Sequence, residues 1–312
     1  MSRHPRAASP AVRGRRGAPA VNPLRRQRLI WGPVFALPAV ALVTIQLIVP
    51  TIQGIYYSFT DWNGRRANWI GLDNYINGGF RSADFPRIAF NSLVMILTAP
   101  VCVAIALLVA HVLATMKRGS SIFRAIYFFP ISLSWVIMGV AFGYILSGRG
   151  GFNSLLSAVG LSGLTSDWLG NESTALIAVL VVFVWAYLGI NIVLLYTGMT
   201  TIDQSILEAA TLDGASGTRL VISVVVPQVR RYIELCIIIT ISAALTQIFG
   251  LIYTMTAGGP GVATTTLEYA LYTSAYQYGN FGRGAAFGIL LFLVTCVFAI
   301  TRLRSGLRAD DE

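Results

Sequence analysis

The sequence predicts an all-α, polytopic membrane protein with six transmembrane helices and both termini in the cytoplasm. Of its 312 residues, 55% are hydrophobic and 12% are charged, and the mean hydropathy is +0.68. This composition is too apolar for a water-soluble globular protein. The charges are spaced so that long apolar stretches lie between them, and the basic residues are distributed unequally among the connecting segments. Together these observations predict the fold class and the orientation.

Six apolar stretches are long enough to cross a bilayer, because a helical span needs about 20 mostly apolar residues. The first is longer than the apolar region of about 7 to 15 residues in a cleavable signal peptide, so we predict an uncleaved helix. The stretches lie between residues 28 and 61, 87 and 117, 124 and 149, 172 and 203, 234 and 268, and 283 and 302.

The orientation follows from the basic residues in the segments that flank these stretches. One alternate set of segments, which includes both termini, holds 17 of the 23 Lys and Arg residues. Basic segments are retained in the cytoplasm, so both termini and the segment from 203 to 234 are predicted to be cytoplasmic. The net charge of +10 does not indicate nucleic-acid binding, because the basic residues are separated by apolar stretches and form no continuous basic face.

The domain organisation is simple. Residues 1–28 are basic and rich in Pro, Ala and Gly, which predicts a disordered cytoplasmic tail. Residues 29–305 form the predicted transmembrane domain, which includes a cytoplasmic loop at 203–227. Residues 306–312 are predicted to be an acidic cytoplasmic tail.

The sequence contains no motif for an enzyme active site. It has no phosphate-binding G-x-x-x-x-G-K-[ST] loop, no C-x-x-C, no H-E-x-x-H and no G-x-S-x-G. Cys102, Cys236 and Cys296 all lie in apolar stretches and are predicted to be small buried hydrophobic residues. We therefore expect neither catalysis, nor a metal, nor a cofactor on this chain.

The most informative segment is the cytoplasmic loop, where Glu208-Ala209-Ala210 precedes Gly214 and Pro227. Its apolar residues predict a short amphipathic helix that Gly214 ends, followed by a second helical segment up to the proline. From the residues alone, two interpretations remain open. The helix either docks onto a partner or packs on lipid headgroups. The apolar residues of this helix are Ile206, Leu207, Ala210 and Leu212.

This loop resembles the signature loop of binding-protein-dependent ABC importer permeases. The shared order is E-A-A, three residues, Gly, nine residues, an aliphatic residue, one residue, an aliphatic residue and Pro. Further motifs resemble the carbohydrate permeases of the maltose and glycerol-phosphate type. These motifs are Tyr57-Ser58-Phe59-Thr60-Asp61-Trp62, Gly71-Leu72-Asp73-Asn74-Tyr75, Phe123-Arg124, Phe129-Pro130, Asp167-Trp168-Leu169 and Thr256-Ala257-Gly258-Gly259-Pro260.

The resemblance implies a MetI-like type I ABC importer permease fold in the cytoplasmic (inner) membrane of a bacterium. It implies a second homologous permease, two ATPase subunits that bind ATP and Mg, an extracytoplasmic solute-binding protein and a carbohydrate substrate. In such systems the signature loop is a coupling helix, here residues 206–216, that docks into the ATPase. The residues expected to couple are Glu208, Ala209, Ala210, Asp213, Gly214 and Ala215.

A path for a hydroxyl-rich solute requires polar or aromatic side chains that face away from lipid. Carboxamides supply both a donor and an acceptor, and aromatic rings stack on the apolar faces of sugars. Alternatively, each polar residue in a span bonds a neighbouring helix for about 0.6 kcal/mol. The expected path residues are Trp185, Tyr187, Asn191, Thr246, Gln247, Phe249 and Tyr253. The resemblance to maltose permeases instead places ligand contacts at Phe183, Ala186, Tyr187, Ile190, Leu245 and Ile248.

Two external segments, residues 149–172 and residues 258–282, are candidates for receiving the solute-binding protein. The first is expected to contain a short helix, and the alternative is a cap parallel to the membrane with Trp168 at the headgroups. Two other functions were weighed against the importer. A secondary carrier commonly uses charges in the middle of its spans, and we expect none here. A structural membrane anchor would need the cytoplasmic loop but no solute path.

Overall fold

The computed structural model describes residues 34–116 and 118–309, with side chains up to residue 300. The described residues contain no β-strand, only an isolated bridge between Thr60 and Trp69, so the predicted all-α class is confirmed. The predicted disordered tail lies outside the described residues, as do the last three residues of the acidic tail. Internal contacts divide the chain into two units, one ending at Gln53 and the other beginning at Gly54.

Eleven helices organise the described residues. They are α1 Val34–Ser58, α2 Phe85–Thr115, α3 Ser120–Phe128, α4 Trp135–Ile145, α5 Gly151–Ala158, α6 Glu172–Thr200, α7 Gln204–Leu212, α8 Arg230–Thr246, α9 Phe249–Met255, α10 Leu267–Tyr272 and α11 Phe281–Ala309. Shorter helical segments are Asp73–Tyr75, Gly217–Leu220 and Val226–Gln228, with 3₁₀ turns at Phe129–Ser132 and Ser162–Leu164. Segments of π-helix occur at Thr44–Ile48, Ile76–Phe80, Val221–Val225 and Thr273–Gln277.

Four of these helices, namely α1, α2, α6 and α11 up to Ile300, are each long and apolar enough to cross a membrane. The other two predicted spans are bent pairs. Residues Ser120–Ser132 continue into α4 across a bend of 97°, and α8 continues into α9 across a bend of 49°. The described residues therefore contain four continuous candidate spans, and the predicted number of six is reached when each bent pair is counted as one broken span.

The core lies where α6 packs against α2, with α4, α8 and α9 around them. Val182, Phe183 and Ile248 are fully buried in its largest cluster. Cys102 and Cys236 are buried as predicted, whereas Cys296 is half-buried, and all three thiols are free. A second cluster joins the other halves of α2 and α6 to the segment after α7 through Val103, Ile192 and Val225.

Glycines permit close helix approaches inside this chain. A Cβ on Gly139 would collide with the Thr254 hydroxyl of α9, and a Cβ on Gly284 would lie 2.7 Å from the Ala275 side chain. Gly139 and Gly284, one glycine from each of two G-x-x-x-G pairs, therefore serve packing inside this chain. The closest approach to a backbone atom is at Gly189 of α6, where a Cβ would collide with the carbonyl of Tyr127 in α3.

We predict that Gly189→Ala destabilises the folded protein, because a backbone carbonyl cannot move aside as a side chain can. The expected cost is about 1 to 3 kcal/mol of unfolding free energy. Gly143→Ala is the matched control, since its Cβ would meet its nearest atom, the Thr254 carbonyl oxygen, at an ordinary 3.8 Å. Thermal unfolding of both variants in detergent checks this prediction, and equal transition temperatures would contradict it.

Candidate functional sites

Helix α7 and the turn that follows it contain the predicted coupling residues. Asp203 caps the helix, because its carboxylate accepts a hydrogen bond from the Ser205 backbone N–H at 2.9 Å. This hydrogen bond lowers the pKa of the Asp203 carboxyl group. The helix begins at Gln204, two residues before the predicted start, and ends at Leu212.

The turn after α7 explains why a glycine stands at position 214. The Ala215 N–H donates to the Ala210 carbonyl at 2.9 Å, and the Gly214 N–H donates to the Thr211 carbonyl at 3.1 Å. This pair of bonds is the Schellman motif, which requires a left-handed residue after the helix cap. Gly214 has φ +84° and supplies that conformation without strain.

Side chains divide α7 into an anchored face and an exposed face. Leu207 packs against the cluster around Val225, and Ala210 and Ala215 are half-buried. Ile206 and Leu212, which the sequence assigns to the apolar face, are 39% and 89% exposed, and Leu212 lies in the last turn beyond the anchored part. The exposed face includes Glu208, Ala209, Leu212 and Asp213. An exposed leucine flanked by two carboxylates forms a small apolar contact surface with an acidic rim.

A second candidate site lies at the break between α8 and α9. Gln247 ends α8 and is exposed, and its side-chain oxygen accepts a 2.9 Å hydrogen bond from the Tyr187 hydroxyl of α6. Thr246 beside it is exposed, although its hydroxyl donates to the Ser242 carbonyl. On α9, Phe249 and Tyr253 stack with their ring centroids 5.5 Å apart. Five of the seven expected path residues therefore cluster at the break.

The structure places Asn191 and Trp185 elsewhere. Asn191 is fully buried, and its Nδ2 donates to the Thr240 hydroxyl at 2.9 Å and to the Tyr187 carbonyl at 3.1 Å. It therefore joins α6 to α8 in this conformation and faces no open surface. Trp185 lies two residues from Tyr187, hence on the opposite side of α6, where its ring meets Phe142 edge to face at 5.2 Å.

Glu268 is the residue at this site that sequence reasoning missed. The sequence places it at the end of the fifth apolar stretch, whereas the helix of that stretch ends at Met255 and Glu268 lies in the next helix, α10. The Glu268 carboxyl group is thereby buried at the break, where the backbone N–H groups of Phe249 and Ile248 favour its ionised form. Its Oε2 is buried and has no hydrogen-bond partner. The sequence contains one signal for this placement, namely an acidic residue at the end of an apolar stretch without a basic residue beside it. Such a carboxyl group is costly to bury unless the fold provides partners for it.

The loop between α9 and α10 holds Glu268 in place. Asn91 of α2 donates to the Thr265 carbonyl at 2.9 Å and to the Val262 carbonyl at 3.0 Å. Gly258 has φ +82°, and a Cβ there would lie 2.6 Å from the Thr265 hydroxyl. The Gly-Gly-Pro-Gly segment therefore makes a tight loop that is tied to α2.

Comparison with known proteins places the chain in a family. Residues 102–307 match the model of the binding-protein-dependent transport system inner membrane component. The chain belongs to this family. Within it, the multiple sugar-binding transport system permease protein MsmF of Streptococcus mutans is 29% identical over 280 residues, covering 88% of this chain and 94% of that protein. The diacetylchitobiose uptake system permease protein NgcF of Streptomyces coelicolor is 29% identical over 326 residues, covering 98% and 92% respectively.

Solved structures show the same fold for this inner membrane component. A bacterial ABC transporter chain involved in the import of the acidic polysaccharide alginate superposes with a TM-score of 0.75 at 21% identity, covering 92% of this chain and 97% of that one. A second structure, of the alginate transporter in complex with an alginate pentasaccharide-bound periplasmic protein, gives a TM-score of 0.74 at 18% identity, covering 92% and 96%. The expected ABC importer permease fold is confirmed. The orientation of the termini stays a prediction.

The environment of Glu268 generates a pH prediction. Burial raises the pKa of Glu268 from its ordinary 4.5 to about 7, although the two backbone N–H groups favour the ionised form. Between these values the folded protein keeps a proton that the unfolded chain releases. The free energy of unfolding therefore decreases as pH rises through this window.

We expect the transition temperature of the purified protein to fall between about pH 4.5 and pH 7, and Glu268→Gln to remove part of that fall. The amide of glutamine has nearly the same shape but does not titrate. Glu172→Gln, an exposed carboxylate at the start of α6, is the matched control and should leave the pH dependence unchanged. An identical pH dependence in the Glu268 variant and the unsubstituted protein would contradict the placement of this carboxylate.

Proposed function

We propose that this chain is a permease subunit of an ATP-driven importer that moves a sugar or a related polyhydroxylated solute into the cell. Membership of the transport family supports the general role. The relatives named for multiple sugars and for diacetylchitobiose support the class of solute. The proposed location is the cytoplasmic membrane of a bacterium, with both termini and α7 on the cytoplasmic side.

The observation that carries the proposal is the exposed face of α7. Its helix is capped at both ends and anchored by Leu207, so Glu208, Ala209, Leu212 and Asp213 are held in a fixed arrangement. A capped and anchored helix transmits displacement to the spans behind it as a rigid body. In the proposed assembly this face docks into a separate ATPase subunit, which binds ATP and Mg and carries out hydrolysis. A second permease docks in the same way on a second ATPase.

Alternating access would follow from the break in the fifth span. Closure of the ATPases displaces α7, and this displacement reaches α8 through the short segments after Gly217. The bend between α8 and α9 lets the two halves of the span move differently, as broken helices do in transporters. Gln247, Tyr187, Phe249 and Tyr253 would then contact the solute at the break.

The opposite end of the bundle offers a surface for the solute-binding protein. A cavity of about 370 Å³ lies there, and polar side chains from two segments line much of it. Arg283 contributes a buried Nε without a hydrogen-bond partner. A polar loop of the binding protein would supply acceptors for that group. The polar lining includes Asp84, Thr273, Gln277, Tyr278 and Arg283.

Glu268 favours one alternative function, a self-sufficient secondary carrier driven by protons. A titratable carboxylate at the break of a span is a feature of proton-coupled carriers. The two functions differ in the components that transport requires after reconstitution into lipid vesicles. A secondary carrier transports when this chain alone is reconstituted with a proton gradient, whereas the proposed importer requires the ATPase and ATP.

The docking role of α7 is tested by Leu212→Asp. A carboxylate there removes the apolar contact and adds a third negative charge to the exposed face. We expect ATP-driven uptake by the assembled importer to fall at least about tenfold, as for a residue at the centre of an interface. The transition temperature should change little, because the side chain is exposed.

Leu212→Met is the matched control, since it preserves size and apolar character. It should retain uptake, and both variants should insert into the membrane equally. Unimpaired uptake with Leu212→Asp would contradict the coupling role of this face. If Leu212→Asp fails to insert into the membrane, Glu208→Lys is the second variant that tests the same role. Glu208 is also exposed and lies on the same face of α7.

A further inference from the structure

Aromatic rings continue outward from the break in the fifth span. Tyr272 of α10 lies 4.7 Å from Phe249 and 5.7 Å from Tyr253 between ring centroids. Tyr276, one helical turn further, stacks on Tyr272 at 5.5 Å. These spacings leave no room for another side chain between neighbouring rings. We call Phe249, Tyr253, Tyr272 and Tyr276 the aromatic track.

The aromatic track is accessible and carries hydroxyl groups. Tyr253 is 45% exposed and Tyr276 is 69% exposed. Three of the four rings are tyrosines, so phenolic oxygens accompany the ring faces along the track. The inner end of the track is Phe249, next to Gln247, whose carboxamide is bonded to Tyr187.

Other exposed faces of the same chain have a different composition. The exposed faces of α2 and α6 are mainly aliphatic, with Phe90 and Trp185 as their exposed aromatic residues. A hydroxyl group facing hydrocarbon without a partner is costly. The aromatic track therefore has the chemistry of a wet surface, in contrast to the lipid-type faces formed by Leu97, Val101, Leu108, Ile177 and Val181.

We propose that Tyr272 and Tyr276 extend the solute site outward, so that the aromatic track receives an oligomeric sugar of at least two units. Sugar rings present apolar C–H faces and hydroxyl edges, which match the ring faces and the phenolic oxygens of the track. A row of rings beyond the break offers contacts to a second sugar unit while the first lies at Gln247. This inference rests on the proposed function and adds the chain length of the solute.

Cysteine accessibility tests whether water and water-soluble reagents reach the aromatic track. Cys102, Cys236 and Cys296 are replaced by alanine, and Tyr272→Cys or Tyr276→Cys is introduced into the assembled importer in vesicles. The probe is a charged, membrane-impermeant methanethiosulfonate. We expect it to modify both positions and to inhibit uptake. Val181→Cys, on an exposed aliphatic face, is the matched control and should stay unmodified. The same lack of modification at Tyr272 and Tyr276 would overturn the inference.

Transport kinetics test the chain length of the solute. Tyr276→Ala should raise KM for a trisaccharide about threefold to tenfold, as loss of one stacking contact does, and leave KM for a monosaccharide unchanged. Tyr144→Ala, 76% exposed on α4 and outside the track, should change neither. Equal effects on both sugars would overturn the inference, and so would loss of the second permease from the purified complex.

The two experiments separate this inference from the proposed function. An importer that takes up no sugar contradicts the proposed function, whereas cysteine accessibility still reports whether the track is wet. Sugar uptake with an unmodified track contradicts only the inference.

Discussion

The satisfaction of backbone hydrogen bonds inside the membrane is the constraint on which this structure depends. Water is absent from the hydrocarbon core, so a break in a span must find partners for the freed N–H and C=O groups. At the break between α8 and α9, the buried Glu268 carboxyl group lies close to the freed N–H groups of Ile248 and Phe249. Asn91 takes two carbonyls of the loop that carries Glu268. The span bends by 49° at this break.

This constraint connects the break to transport. The bend follows Gln247, whose N–H still donates to the Ala243 carbonyl, and the side chains of Thr246 and Gln247 are exposed there, with Gln247 bonded to Tyr187. Asn191 lies one turn further along α6, and its Nδ2 donates hydrogen bonds to the Tyr187 carbonyl and the Thr240 hydroxyl. It therefore stabilises the bundle. Polar residues in the spans thus divide into those that join helices and those that remain available to a solute.

The fold class, the apolar stretches and the helix of the loop after the fourth span were predictable from the sequence, because each depends on local periodicity and charge spacing. Gly214 was predictable as a helix end for the same reason. The break itself was not predictable, since nothing local to Gln247 distinguishes it from a helical residue. Glu268 approaches the break only through the tertiary fold of the loop from Thr256 to Thr266, and the exposure of Leu212 depends on where Leu207 anchors α7.

The central claim is that α7 docks on a separate ATPase and couples it to the spans. It is tested most directly by a single cysteine at Ala209, on the exposed face, in a variant without its native cysteines. After coexpression with the second permease and the ATPase, a short bifunctional thiol reagent should join Ala209→Cys to the ATPase subunit. The same reagent should give no product with Leu161→Cys, which is exposed near α5, remote from α7 in the bundle. No crosslink at Ala209 in an importer that still takes up solute with ATP would contradict the account.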